Sequence, residues 1–72
     1  MKDIKTIHLT APYITLGQLL KVGRIIQNGG EAKMFLAEHE VLVNGEVDCR
    51  RGRKLYPGDK VSVLGQDFAI EA

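Results

Sequence analysis

The stretch AKMFLAEHEVLVNG, Ala32–Gly45, changes its hydrophobic period in mid-run, and that change decides the fold class. Ala32, Phe35 and Leu36 stand at i, i+3 and i+4, the spacing that gathers apolar side chains on one face of a helix. From Glu40 the period is that of strands. Val41, Leu42 and Val43 run into Asn44-Gly45, the dipeptide best suited to a type I′ turn because both of its central residues need positive φ. A helix from Glu31 to about Glu38 thus leads straight into a hairpin, which predicts an α+β fold. His39 is the expected helix stop, since His is enriched among the non-glycine residues that adopt the left-handed conformation common at such ends.

Upstream, Asn28-Gly29-Gly30 forms a break in which Asn28 is a candidate cap for this second helix. The first helix starts at Thr15, because Thr15 followed by Gln18 matches a capping box. Leu16, Leu19, Leu20, Gly23 and Ile26 then share one face, with Val22 beside them, while Lys21 and Arg24 lie three apart on another. This gives an apolar back and a basic front. Gly23 weakens the middle, so the helix either runs through it or breaks into two short pieces. The two helices are expected to pair like a hairpin. Before them, Ile4–Leu9 has the β-branched content of an edge strand, ended by Ala11 and Pro12.

Downstream, a strict two-residue turn at Asn44-Gly45 pairs Leu42 with Val47 and leaves Val41 and Val43 opposite Asp48 and Glu46. Either that turn is longer, or both faces of the hairpin are partly covered. A turn at Gly65-Gln66 would pair Val63 with Phe68 and Val61 with Ile70, four apolar residues on one face that must pack on the helices. Between the hairpins lies RRGRKLYPGD, Arg50–Asp59. Its Pro57-Gly58 turn signal places the basic run in a loop leading into a strand, Lys60–Leu64.

The totals narrow the function classes. Seventy-two residues with 44% hydrophobic and 26% charged side chains make one folding domain, 1–72. A domain this small buries only about 60–65% of its unfolded surface, so an enclosed catalytic cleft is hard to build and the expectation is no enzyme. Cys49 is the single cysteine, which excludes an intrachain disulfide framework and suits a reducing compartment, by default the cytoplasm. The N-terminus shows no secretory pattern, and no segment is long and apolar enough to span a bilayer.

Recognisable catalytic constellations are missing. His8, His39 and Cys49 stand too far apart to read as a metal site. Cys49 reads better as a small apolar filler than as a nucleophile. Gly29-Gly30 before a helix lacks the Lys and Ser or Thr of a phosphate-binding P-loop. Tyr56 either stacks on a base or covers the Pro57-Gly58 turn. No cofactor, metal or small-molecule substrate is expected.

What remains is cationic. The net charge is only +1, yet four of the ten Lys and Arg residues fall in Arg50–Lys54, whereas Met34–Cys49 holds four acids and no Lys or Arg. If Arg50, Arg51 and Arg53 merely balanced those acids, each exposed pair would contribute at most about 1 kcal/mol, a weak reason for clustering. A phosphate-binding surface explains it better, since arginine offers a planar fork to phosphate oxygens. Lys54 extends the run, Lys33 stands near the start of the second helix, and Lys21 and Arg24 lie at the margin.

The ordered set Ala32, Phe35-Leu36, Val41, Val43-Asn44-Gly45, then RRGRKL and YPGD with Leu55, Pro57, Gly58, Asp59 and Val61, resembles the S-four RNA-binding domain, named after the fourth small-subunit ribosomal protein. The resemblance covers about 15–63. With GGEAK at Gly29–Lys33, the chain is most similar to small free-standing bacterial members of that family. The resemblance implies two short helices packed on a small antiparallel sheet, the αL motif, and binding of structured RNA across the helix pair and adjoining loop. It puts Lys33 and Arg50–Lys54 on the RNA-facing surface, and Val41, Val43, Leu55 and Val61 in the core. Two positions depart from the pattern: the Ser-Arg pair that often opens the second helix is Asn28-Gly29 here, and the glycine usual after it is His39. The expectation is a protein that binds ribosomal RNA during assembly of a ribosomal subunit, or a tRNA-containing ribosomal complex, with no membrane association. The alternative is a protein-interaction adaptor whose basic loop docks on an acidic partner.

Overall fold

The computed structural model describes residues 4–72, and its elements follow the changes of period in the sequence. In chain order these are β1 (Ile4–His8), β2 (Ile14–Thr15), α1 (Leu16–Val22), a 3-10 turn (Gly29–Glu31), α2 (Ala32–Glu38), β3 (Val41–Val43), β4 (Glu46–Val47), β5 (Lys54–Leu55), β6 (Lys60–Val63) and β7 (Gln66–Glu71). The main sheet has the order β1-β7-β6-β3-β4, and β2 pairs with β5 in a separate two-stranded ladder. The class is α+β. The sheet is antiparallel, as expected, except at its edge, where β1 joins β7 in parallel with Ile7 opposite Ile70.

The capping box at Thr15 forms: the Thr15 backbone N–H donates to Gln18 Oε1 at 3.0 Å, and the Gln18 N–H donates to Thr15 Oγ1 at 3.3 Å. Of the two outcomes open at Gly23, neither describes α1, which stops before it. Arg24 has φ 61, its N–H donates to the Lys21 carbonyl, and the Ile25 N–H donates to the Leu20 carbonyl. These two bonds make a Schellman closure with arginine where glycine is usual. Arg24 is therefore not on a helical face with Lys21. Gly23 itself is fixed by packing, because a Cβ added there would lie 2.8 Å from two ring atoms of Phe68.

After the Gly29–Glu31 turn, whose cap position is Asn28, the Glu31 carboxylate closes the break by accepting from the Gln27 and Asn28 backbone N–H groups at 2.8 and 3.4 Å. His39 does stop α2, but with φ −130 and ψ 140 it is extended rather than left-handed, and its ring packs on Phe35 at 4.6 Å between centroids. The chain leaves the helix directly into β3, so no reversal through positive φ is needed there.

The first hairpin is the strict two-residue form, with Asn44 at φ 52, Gly45 at φ 85 and Leu42 opposite Val47. Its conflict of faces is resolved by its shortness: Val41 and Val43 are buried, Leu42 is half-buried, and β4 ends before Asp48. The last hairpin corrects the expected register. Its turn is Leu64-Gly65, with φ 49 and 74, so Val63 opposes Gln66 and Val61 opposes Phe68. A shift of two residues keeps every side chain on its face, and Val61, Val63, Phe68 and Ile70 are all buried as expected. The observed register places the Ser62 hydroxyl 2.6 Å from Asp67 Oδ1, where the other would set Leu64 against that carboxylate.

These four side chains meet Leu16, Leu19, Leu20, Ile26, Ala32, Leu36, Val41, Val43, Ile14 and Leu55 in one core. Gly23→Ala should lower stability by about 1–3 kcal/mol through overpacking against Phe68, read as a lower urea midpoint. Gly52→Ala, whose methyl would meet nothing within 4 Å, should stay within about 0.5 kcal/mol of the parent.

Candidate nucleic-acid interface

The basic run is a tight turn fastened to α1. The Arg53 N–H donates to the Arg50 carbonyl at 3.1 Å, which sets Arg51 and Gly52 at the tip. The Leu16 N–H then donates to the Arg53 carbonyl at 2.8 Å, and the Gly17 N–H to the Arg51 carbonyl at 2.9 Å. The first amides of a helix have no partner within the helix. Here loop carbonyls and Thr15 supply those partners, so the backbone of the loop faces the helix. Gly17 permits this approach: a Cβ there would lie 3.3 Å from the Arg51 carbonyl oxygen and 3.5 Å from Ala32 Cβ. Next to the turn, Ile14 opposes Leu55 in the β2–β5 ladder, and Leu55 is fully buried, anchoring the loop's far end in the core.

Asp48 tethers the near end. It is the one buried charged residue among those described, 8% exposed. Its Oδ1 accepts from the Arg50 backbone N–H at 2.9 Å and from Arg50 Nε at 3.2 Å, and its Oδ2 accepts from Arg50 Nη2 at 2.9 Å and Arg53 Nη1 at 2.8 Å. The hydrogen bonds from Arg50, opposed by burial and reinforced by Arg53, hold the Asp48 carboxyl well below its ordinary value of 3.8. Two of the four clustered cations thus do pair with an acid of the preceding segment, which charge counting along the sequence had disfavoured. The pairing does not bury them: the Arg50 side chain remains 70% exposed, and Arg53 keeps about a third of its surface.

The candidate cations divide into groups. Arg51, with no ion pair among the described residues, lines an open groove with Lys21, Gln18, Gly17, Gly29 and Ala32, where α1, the start of α2 and the loop converge. Lys33 is exposed on the first turn of α2, next in sequence to Ala32 of that groove. Lys54 sits on β5 with its Nζ 5.0 Å from the centroid of the Tyr13 ring. Arg24 does not line the groove: it follows the C-terminus of α1 in left-handed backbone, off the helical face that carries Lys21.

Three residues escaped the sequence reading as parts of this region. Asp48 was legible only as one acid of four. Gly17 gave no signal without its neighbours, and Tyr13 carried none until β2 met β5. Cys49, expected as an apolar filler, is exposed instead, because it lies beyond the end of the edge strand β4 at Val47.

Two helices clasping a mixed sheet, with a basic turn bonded to the first helix, define a small cationic binding module. The S4 domain family model matches residues 7–71, and the chain belongs to that family. Among curated proteins, the Bacillus subtilis (strain 168) "Probable ribosome maturation protein RlbA" is 61% identical over 59 residues, covering 82% of this chain and 83% of that protein. The Escherichia coli (strain K12) "Putative RNA-binding protein YbcJ" is 34% identical over 61 residues, covering 85% of this chain and 87% of its own length.

Because folding depresses the Asp48 pKa, the carboxylate contributes stability above its ordinary titration range, and that contribution is lost as pH falls below about 4 toward the folded value. Asp48→Asn should therefore lower the thermal midpoint at pH 7, and the gap to the parent should narrow progressively below pH 4. A gap that stayed constant between pH 7 and pH 3 in paired melting curves would remove the charge from the explanation.

Proposed function

We propose that this chain is a non-enzymatic RNA-binding protein of the cytoplasm that grips structured RNA through the turn Arg50–Lys54 together with Lys21 and Lys33. The observation that carries the reading is the groove in which Arg51 and Lys21 converge, beside Arg50 and Arg53 whose guanidinium planes Asp48 holds in place. Fixed arginine forks suit the oxygens of a phosphate backbone, and an RNA helix is read mainly through its shape, phosphates and ribose hydroxyls. Arg24 belongs at the margin of this surface. The RNA is ribosomal RNA during subunit maturation, or a tRNA-containing ribosomal complex; the Bacillus subtilis relative, named for ribosome maturation, supports that direction, and the Escherichia coli relative, named for RNA binding, supports the class of ligand.

The test avoids Arg50 and Arg53, because replacing either removes a partner of a buried carboxylate and confuses folding with binding. Lys21→Glu with Arg51→Glu should keep the melting curve of the parent. In mobility shifts against ribosomal RNA fragments it should weaken binding at least about ten-fold and reduce the log-log salt slope by roughly two. An unchanged affinity and slope would reject this surface. A captured protein partner that survives nuclease treatment, with no RNA shift, would instead favour the adaptor reading. Crosslinking in cells followed by sequencing of the attached RNA identifies the target.

A further inference from the structure

We propose that Tyr13 and Tyr56 form a stacking platform for an unpaired RNA base next to the phosphates held by the basic turn. The inference rests on the RNA-binding reading above and adds to it which chemical feature of the RNA is recognised beyond its backbone.

The platform follows from the pleat of the β2–β5 ladder. Ile14 opposes Leu55 and Thr15 opposes Lys54, so Tyr13 and Tyr56 face each other one step beyond the ladder's end. Alternation sends Ile14 and Leu55 into the core, and it turns Tyr13, Tyr56 and Lys54 outward together. The result is a small aromatic surface with a cation on it. The ring centroids are 5.9 Å apart with planes inclined at 49°, and Lys54 Nζ lies 5.0 Å from the Tyr13 centroid.

Both rings are exposed, Tyr13 at 40% and Tyr56 at 49%, so neither belongs to the core. Nor is the Tyr56 ring needed to hold the Pro57-Gly58 turn. That turn closes through the Asp59 N–H donating to the Tyr56 carbonyl at 3.0 Å and the Tyr56 N–H donating to Asp59 Oδ2 at 2.8 Å. Aromatic surface held open by backbone bonds, one residue from a phosphate-gripping run, is what a stacked base requires. A base sandwiched between two rings needs them about 7 Å apart, twice the roughly 3.4 Å stacking distance. At 5.9 Å the pair is too close for that, so the base stacks on an outer ring face. Stacking uses the π-face that every base has, so the platform selects an unpaired base over a paired one without reading its identity. Lys54, its Nζ over the Tyr13 ring, leaves the outer face of Tyr56 for the base and holds a positive charge beside it for the phosphate of that nucleotide.

The chain has two tyrosines and no tryptophan, so intrinsic fluorescence reports on this pair alone. The experiment compares a blunt RNA hairpin with the same hairpin carrying an unpaired fluorescent purine analogue at either end or in a bulge, titrated with the full chain. The parent should bind at least one unpaired form about ten-fold more tightly than the blunt hairpin, with quenching of both tyrosine and purine emission. Tyr13→Leu and Tyr56→Leu should lose that preference and the quenching while binding the blunt hairpin as the parent does. Tyr13→Phe and Tyr56→Phe should retain the preference, which separates the ring from the hydroxyl. Equal affinity of parent and leucine variants for every RNA, without quenching, overturns the platform and leaves the phosphate surface standing. If the parent binds no RNA, and Lys21→Glu with Arg51→Glu changes nothing, the RNA reading falls and the platform falls with it.

Discussion

Two hydrogen bonds from the leading edge of α1, Leu16 N–H to the Arg53 carbonyl and Gly17 N–H to the Arg51 carbonyl, hold the binding surface together. They solve a problem that every helix has, since its first amides lack internal partners. They also turn a flexible-looking loop into a continuation of the helix. The Arg51 and Arg53 carbonyls point at the helix, and the Arg50, Arg51 and Lys54 side chains are left to solvent. Everything cationic near the groove depends on this, including the approach of Arg51 to Lys21. Gly17 is the steric condition for it, with α2 and the loop both within contact of the place where its Cβ would be.

Two further tethers complete the frame. Leu55 anchors one end of the basic run in the core, and Asp48 holds the other. Asp48 has two opposing effects on the surface. By bonding Arg50 and Arg53 it orients their planes and spares the entropy of ordering them when a phosphate arrives. It also places a negative charge among the cations and occupies donors that a phosphate would otherwise use. Arg50 Nη1 and the Nε and Nη2 of Arg53 make no hydrogen bond to Asp48, so each fork retains capacity for an anion.

Much of the architecture was legible along the chain because it rests on short-range patterns. The Thr15–Gln18 box, the Ala32–Leu36 face and the Asn44-Gly45 turn each use residues within four positions of one another. The misreadings share a cause as well. Arg24 and Leu64 take left-handed backbone that sequence rules reserve for glycine or asparagine, and the neighbouring Gly23 and Gly65 drew the expectation to themselves. In both places long-range packing sets the conformation: Phe68 presses on Gly23, and the pairing of Ser62 with Asp67 sets the final turn. His39 failed in the opposite sense, because β3 begins at once and extended backbone suffices.

By itself the sequence determined the α+β class, the two helices, which face of each strand is apolar, and the presence of a dense cationic run. These follow from periodicity and composition, which act locally. Only the tertiary structure decided which cations share a surface. It brought Lys21 and Arg51 to one groove, took Arg24 off the helical face of Lys21, and gave Arg50 and Arg53 a common carboxylate. It also set Tyr13 beside Tyr56, forty-three positions apart in the chain, because Ile14 and Leu55 pair to bury themselves in the same core. Burial of those two apolar side chains is what turns the polar and aromatic residues next to them outward, and no local rule records which distant strand will be their partner.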